Sequence, residues 1–510
     1  MKGLRLSIII VTLILCLFTS SEKSQAYISL LDGNLEVNGF FKEQMFIRLN
    51  IPDEEKFLHK SNVDYWRSSF LIEGLYKLKK DGDLRVNLFG GFKYYYEKSP
   101  TFDSEKKKGM YRPSYSDYTH PSDDDVITEL YADFQYGPLQ LKVGKQIVVW
   151  GETNLKQTAD IINPLDLRYG SPGTEPWEDI KTGLWMIRGL YQTELPGDLN
   201  FEFIFIPADY EAARTPEEST YQGYNIYKSR IGEADFGIAT WAMEKARKDA
   251  PGWNTSNWEA AFKVRGYTWN VDWSIFYFNT IADAPTIDPE NWDAFGWIYV
   301  QDAINGGGFD PQYPSYKVFN YRRYEVIGTT FQTRFEKFPV SEWRLETYYY
   351  IGEPLNKSTN SKESGTYAEV ERDTFGFGLE GRDRYRIPYF THNWFDDKKM
   401  TVSVTLFYEK IFNFDRDLVI RSGRGHRYGD SHASEIAWSV SQFFNHSKWF
   451  SMFTGSYNFI GKWFMLPVLG YAPGKHWRFE GGVAIYGSSA SSNKGLNDKD
   501  SVLLRVRYEF

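Results

Sequence analysis

The stretch KQIVVWGETNLKQTADIINPLDLRYG, Lys145 to Gly170, combines side chains that can bind and sort solutes. Trp150, Glu152, Asn154, Asn163, Asp166 and Arg168 are polar or aromatic. Ile161, Ile162, Leu165 and Leu167 stand among them. Such a segment is too apolar to hang in water and too charged to enter lipid. It can pack its aliphatic side chains on a wall while its carboxylates and Arg168 face water. A second set of charges recurs at alternate positions of extended stretches: Arg85 and Lys93; Arg334, Arg344 and Glu346; Glu380, Arg382, Arg384 and Arg386; Arg478, Glu480, Arg505, Arg507 and Glu509. Rings of charge lining a pore set ion preference, and arginine favours carboxylates and phosphates. A mixed-sign ladder whose members satisfy one another explains the same pattern nearly as well.

Enzyme chemistry finds little support. The histidines His59, His120, His392, His426, His432, His446 and His476 fall mostly in turns or loops, and no spacing among them makes a zinc site. A Ser–His pair is recognised in space, not along the chain. The reading is of a non-enzyme with no cofactor and no metal. Asp123, Asp124 and Asp125 have the chemistry to meet a divalent cation at an outer surface, but a solvated loop is the better account.

The elements that must position these residues are strands. Residues 1–26 read as a secretory signal peptide: Lys2 and Arg5, an apolar run Leu6–Phe18, and Ser24-Gln25-Ala26 as a cleavage site. Cys16 lies inside it, so the expected mature chain, 27–510, has no cysteine and no disulfide. The whole chain carries −8. Removing Lys2, Arg5, Lys23 and Glu22 leaves 56 basic and 66 acidic residues, or −10, which argues against a nucleic-acid partner. No later apolar run nears the ~18 residues of a spanning helix. Aromatic residues nevertheless make up 18%.

Period-two alternation runs through the chain. Leu84, Val86, Leu88, Gly90, Phe92, Tyr94 and Tyr96 alternate with Arg85, Asn87, Phe89, Gly91, Lys93, Tyr95 and Glu97. Side chains on a strand point to opposite faces in turn, so each strand has one apolar and one polar side. The pattern predicts about 18 strands, with 16 as the lower alternative, starting near 34, 66, 84, 126, 139, 183, 199, 257, 271, 321, 342, 372, 400, 431, 449, 462, 477 and 501. Short and long connections alternate, except near Gly461. This predicts a transmembrane antiparallel β-barrel with short periplasmic turns and long extracellular loops, a single domain over 27–510. Aromatic belts are expected at both strand ends: Trp66, Tyr94, Tyr95, Tyr96, Trp258, Tyr348, Tyr349 and Tyr350 outside; Trp343, Tyr385, Trp449 and Trp477 inside. The terminal strand ending in Phe510 reads as the recognition signal for barrel-assembly machinery. No plug-sized segment precedes the first strand, which counts against a plugged, energised receptor.

On this map residues 149–182 form the third external loop, expected to fold into the lumen as a constriction. Asn163-Pro164 predicts a short helical turn, with Asn as N-cap. Phe236 to Asp249 predicts another short helix.

The segment VGKQIVVWGETNLKQTADIINPLDLR resembles the signature of the DUF1302 family, proteobacterial outer-membrane proteins described as a domain of unknown function. The matching positions are Gly144, Lys145 and Gln146; Trp150, Gly151 and Glu152; and Asn163, Pro164 and Asp166. LEVNGFFKEQMFIRL is similar to the family's first strand, and NWEAAFKVRGYTWNVDWSIFYFNTIADAPTI to its middle hairpin. The likeness touches much of 34–290 and is weaker beyond. It implies a barrel with a signature loop and traffic in hydrophobic or amphipathic, lipid-like compounds. It also implies a periplasmic lipid-transfer protein or inner-membrane exporter as partner, with outer-membrane lipid around the barrel. The function expected is a passive conduit. A selective porin for small polar or anionic solutes and a non-conducting surface receptor or assembly partner are the alternatives.

Overall fold

In the computed structural model, one sheet of 21 strands contains three two- or three-residue additions, and the other strands form the wall. The structure describes residues 27–51, 62–98, 118–119, 126–156, 158–166, 175, 178–207, 213, 249–252, 254–291, 316–335, 340–358, 367–386, 399–419, 430–489 and 499–510. The expected signal peptide 1–26, the run Asp123–Asp125, most of the expected helix 236–249, and Arg168 lie outside them.

The wall strands are β1 Leu35–Arg48, β2 Val63–Asp81, β3 Leu84–Lys98, β4 Ile127–Tyr136, β5 Leu139–Gln146, β6 Leu184–Gln192, β7 Asn200–Ile206, β8 Glu259–Thr268 and β9 Val271–Ile281. They continue with β10 Arg323–Arg334, β11 Glu342–Ser358, β12 Tyr367–Arg386, β13 Lys399–Ile411, β14 His432–Phe444, β15 Trp449–Asn458, β16 Lys462–Tyr471, β17 Trp477–Ser488 and β18 Ser501–Glu509. Each pairs antiparallel with the next. β18 returns to β1 in register from Phe40↔Glu509 to Arg48↔Ser501, which closes an 18-stranded barrel. Closure leaves no edge strand, the condition for strands to cross lipid. Phe510 completes the seam, exchanging backbone hydrogen bonds with Gly39 at 3.0 Å each way.

The predicted strand starts agree with these bounds within a few residues. The largest difference is β12, which begins at Tyr367. Residues 353–358 and 367–371, which the strand starts left to a connection, extend β11 and β12 past a register shift between Tyr350 and Glu353. The tight connection near Gly461 is present between β15 and β16.

The exposure pattern is inverted relative to a water-soluble protein. In β13, Leu406 is 39% exposed while its neighbours Thr405 and Phe407 are buried. In β3, Phe92 and Tyr94 are exposed while Lys93 between them is 4% exposed. The apolar side faces outward and the polar side inward, as a lipid solvent requires. The aromatic belts follow the same parity. Trp66, Tyr94, Trp258, Tyr385 and Trp477 lie exposed on the outer face. Tyr95 and Tyr348, expected in the outer belt, are buried on the inner face instead, because consecutive residues of a strand cannot share a side.

Leu406→Arg puts a guanidinium at mid-strand on the lipid face and should cost ~2–4 kcal/mol, whereas Thr401→Arg on the inner face of the same strand should cost under ~1 kcal/mol. Urea titration of refolding into lipid vesicles measures both. Equal costs would contradict the assigned parity.

Candidate functional site

β5 ends at Gln146, two residues short of the connection 149–182 read from the sequence. The chain then leaves the wall. The Asn163 side chain takes over the hydrogen bonds that a strand neighbour would supply. Its carbonyl accepts from the Val148 N–H at 2.7 Å, and its amide donates to the carbonyls of Gln146 at 3.0 Å and Thr182 at 2.8 Å. No helix starts there. Leu165 instead forms a bridge with Lys181, flanked by bonds from the Asp166 N–H to the Ile180 carbonyl and from the Thr182 N–H to the Pro164 carbonyl. Asparagine serves as a tie between two chain segments, so it is not free to cap. The one helical turn among the segment's described residues is Glu178–Ile180.

The outward-running limb, 147–160, meets the inner face of strands far from its root. Trp150 donates its indole N–H to Glu202 of β7 at 3.2 Å and packs on Phe276 of β9 at 5.2 Å. Val148, Trp150, Ala159 and Ile162 form an apolar cluster with inward-facing Met186, Ile204, Phe276, Phe278, Val326 and Tyr348. Beyond it the backbone amides have no ladder, and acidic side chains of the wall accept them. Glu346 of β11, fully buried, takes the N–H groups of Glu152, Thr153, Thr158 (2.6 Å) and Ala159 (2.8 Å) and the Thr158 hydroxyl (2.9 Å). Glu380 of β12 accepts the backbone and side-chain N–H groups of Asn154 at 2.7 and 2.6 Å. Arg344 donates to the Glu152 carbonyl at 2.8 Å. At the limb's far end Lys156 pairs with Glu435 of β14 at 2.7 Å, half the barrel's circumference from β5.

The returning limb binds the other side with opposite polarity. Glu175 accepts from Lys42 of β1 at 2.9 Å and from Arg505 of β18 at 3.2 Å, and Asp179 pairs with Lys93 of β3 at 2.9 Å. Lys181 and Asp160 tie the two limbs together through a buried ion pair. Burial alone would push the Glu175 and Asp179 carboxyls up. The neighbouring cations, Lys42 and Arg505 for Glu175 and Lys93 and Lys42 for Asp179, outweigh it and hold both below the usual carboxylate range. Glu152 and Asp160 shift the other way. Burial dominates there, against the pull of Lys263 on Glu152 and of Lys181 on Asp160.

The expected charge ladder divides by height and partner. Arg344, Glu346 and Glu380 engage the segment. Arg505 bridges Glu480 at 2.9 Å and Glu175, and Arg478 pairs with Glu480 at 2.6 Å. Arg507 pairs with Glu509 at 2.8 Å and stacks over Phe40 at 4.1 Å. Arg382 is half-buried opposite Glu342 in register, and Arg85, Arg384 and Arg386 are exposed near the short turns. Much of the ladder is therefore neutralised locally or by the segment. Lys42, Lys156, Asp160, Glu175, Asp179, Lys181, Glu202 and Glu435 were missed by sequence reasoning. The inward parity of Lys42 was readable. Glu175 and Asp179 sit in irregular chain and carry no periodic signal.

Among solved structures, the barrel is similar to OpdK of Pseudomonas aeruginosa with vanillate, at 9% identity and TM-score 0.44, over 94% of this chain and 98% of that one. It is also similar to OccAB3 of Acinetobacter baumannii, at 10% and 0.47 over 94% and 99%, and to a BenF-like porin of Pseudomonas fluorescens, at 9% and 0.46 over 94% and 98%. No curated protein matches the chain in sequence. A family model described as "Protein of unknown function (DUF1302)" matches residues 83–510, most of the chain, and the chain accordingly belongs to the DUF1302 family.

Proposed function

We propose that this chain is an exported outer-membrane channel in which the segment 149–182 narrows the lumen, passing hydrophobic or amphipathic compounds without enzymatic chemistry. One observation carries the reading: a single segment bonds to inner-face side chains on opposite sides of the barrel, Glu346, Glu380 and Glu435 on one and Lys42, Lys93 and Arg505 on the other. A barrel of this strand number is wide enough to conduct water unless something crosses it. The apolar cluster around Trp150 and Phe276 is buried and fastens the segment to the wall, so the hydrophobic cargo rests on the family resemblance. The six loop residues Trp150, Glu152, Asn154, Asn163, Asp166 and Arg168 are assigned to shaping the constriction. Assembly through the Phe510 strand and hand-over to a periplasmic lipid-transfer protein or inner-membrane exporter belong to the same proposal.

A second reading, a porin selecting small polar or anionic solutes, is favoured by one feature. Bases predominate on the inner face of β18, β1, β2 and β3, with Arg505, Lys42, Arg67 and Lys93, while Glu346, Glu380, Glu409 and Glu435 stand on β11–β14. Reversal potentials in a salt gradient separate the two readings, because a hydrophobic conduit should discriminate weakly between ions.

In planar bilayers, deletion of 154–174 should raise single-channel conductance several-fold over the wild type; equal conductance would place the segment outside the conduction path. Glu346→Ala leaves five donors of the outward limb without their acceptor, each such orphan costing ~1–3 kcal/mol. It should therefore raise conductance and open residues 152–160 to protease, with Glu346→Gln intermediate. An unchanged digestion pattern in Glu346→Ala would contradict this anchoring role.

The return limb makes a pH prediction. Glu175 and Asp179 have lowered folded-state pKa values, so the stability they contribute is present above the ordinary carboxylate range and lost as pH falls through their lowered values. Conductance attributable to this limb should stay flat down to about pH 5 and change only below about pH 4. A return-limb transition near neutral pH, removed by Glu175→Gln, would contradict the assignment.

A further inference from the structure

The carboxylates Glu346, Glu380, Glu409 and Glu435 stand on the inner face of β11–β14, and they are not held alike. Glu346 takes five donors of the outward limb and is fully buried. Glu380, also fully buried, takes two from Asn154 and a third from the Thr405 hydroxyl at 3.0 Å. Glu409 takes the Tyr348 hydroxyl and is buried. Glu435 differs. Its partner is the tip of a lysine, Lys156, and both side chains keep part of their surface exposed, 27% for Lys156 and 20% for Glu435.

Strand register lays out the surroundings of that lysine. Glu346, Gly378, Phe407 and Glu435 lie side by side across β11, β12, β13 and β14. The outward limb runs along this row. Thr158 sits over Gly378, so near that a Cβ there would lie 3.2 Å from the threonine side chain. Lys156 reaches the two residues beyond. Its ammonium lies 3.7 Å from the centre of the Phe407 ring and 2.7 Å from the Glu435 carboxylate.

An aromatic face attracts a cation through its quadrupole, and a carboxylate adds a charge-assisted hydrogen bond. Together they make a complete ammonium site, and nothing in that chemistry requires the ammonium to belong to the chain. The limb is held by other bonds on either side of the lysine. Its backbone is fixed through residues 152–154 and 158–159 by Glu346 and Glu380, and the Lys156 carbonyl accepts the Thr153 hydroxyl at 2.7 Å. The lysine side chain can therefore swing away while the limb stays in place. We infer that Phe407 and Glu435 form a binding site for an ammonium group of the cargo, with Lys156 as a built-in occupant that such a group displaces. The inference rests on the conduit reading and names its cargo more closely, as amphipathic amines. An anion is repelled by Glu435, and a neutral molecule gains only the ring.

The test titrates n-butylammonium, a free copy of the lysine side chain, into the full folded chain in maltoside micelles by isothermal titration calorimetry. Heat-modifiable gel mobility shows which variants are folded. Wild type should bind saturably, because the probe competes with Lys156. Lys156→Ala should bind with a Kd at least about tenfold lower, which corresponds to ~1.4 kcal/mol of removed competition. Adding Glu435→Gln or Phe407→Leu to Lys156→Ala should take that gain away, and either folded double variant decides the matter. Butyrate, matched in length and opposite in charge, should bind neither form. Absence of saturable binding to wild type overturns the inference, as does equal affinity in wild type and Lys156→Ala. A gain that survives in a double variant places the probe elsewhere and overturns it too, and so does equal binding of butyrate. Calorimetry does not depend on conduction. The constriction is judged separately by the 154–174 deletion in bilayers, so a failed ammonium site and a failed conduit give different results.

Discussion

A chain that leaves a β-ladder inside a barrel must find acceptors for its amide groups, and here a wall carboxylate provides them. Glu346 gathers five donors from residues 152–159, and Glu380 gathers two more from Asn154. An ionised carboxylate is acceptor-only and forms stronger bonds than a neutral carbonyl. Two such groups on adjacent strands can therefore hold a limb that has neither strand nor helix among its described residues. Without them the limb would present orphaned amides to the low-dielectric space beside the Trp150 cluster, where the loss is largest.

The rest of the segment follows from that anchor. Once residues 152–159 are fixed against β11 and β12, Lys156 reaches β14 and Asp160 meets Lys181 on the returning limb. Glu175 and Asp179 then face the bases of β1, β3 and β18. Buried ion pairs add little net stability against their desolvation cost, but a lone partner is expensive. Their effect is register: each limb fits only the wall of opposite sign. The mixed-sign ladder read from the strands is therefore largely an internal fastening, and less of it is available to a passing solute than the residue count suggests.

The same departure of the chain ends β5 at Gln146. Several of the residues that resemble the family signature stand at this turn, with Asn163 tying it. The family match over 83–510 also extends well past 290, where the sequence resemblance faded. Strands β10–β18 keep the barrel with few distinctive motifs, as alternation alone suffices for a wall.

Alternation determined the fold. A period of two, read with connection lengths, located every wall strand and its apolar side, because lipid outside and water inside impose opposite polarity on successive residues. That same parity assigns Lys42, Lys93, Glu346 and Glu380 to the lumen. It also corrects the belts, turning Tyr95 and Tyr348 inward. Composition and spacing further marked residues 149–182 as a segment that neither water nor lipid suits. Which wall residues that segment would touch was decided only by the tertiary structure. Glu346 lies about 190 residues from Thr153 and Glu435 about 280 from Lys156, and no periodicity links irregular chain to a distant strand. The Asn163 tie was hidden for the same reason. Its local sequence is that of a helix cap, and only the nearness of Gln146, Val148 and Thr182 in space gives its amide better partners than the next turn of its own chain.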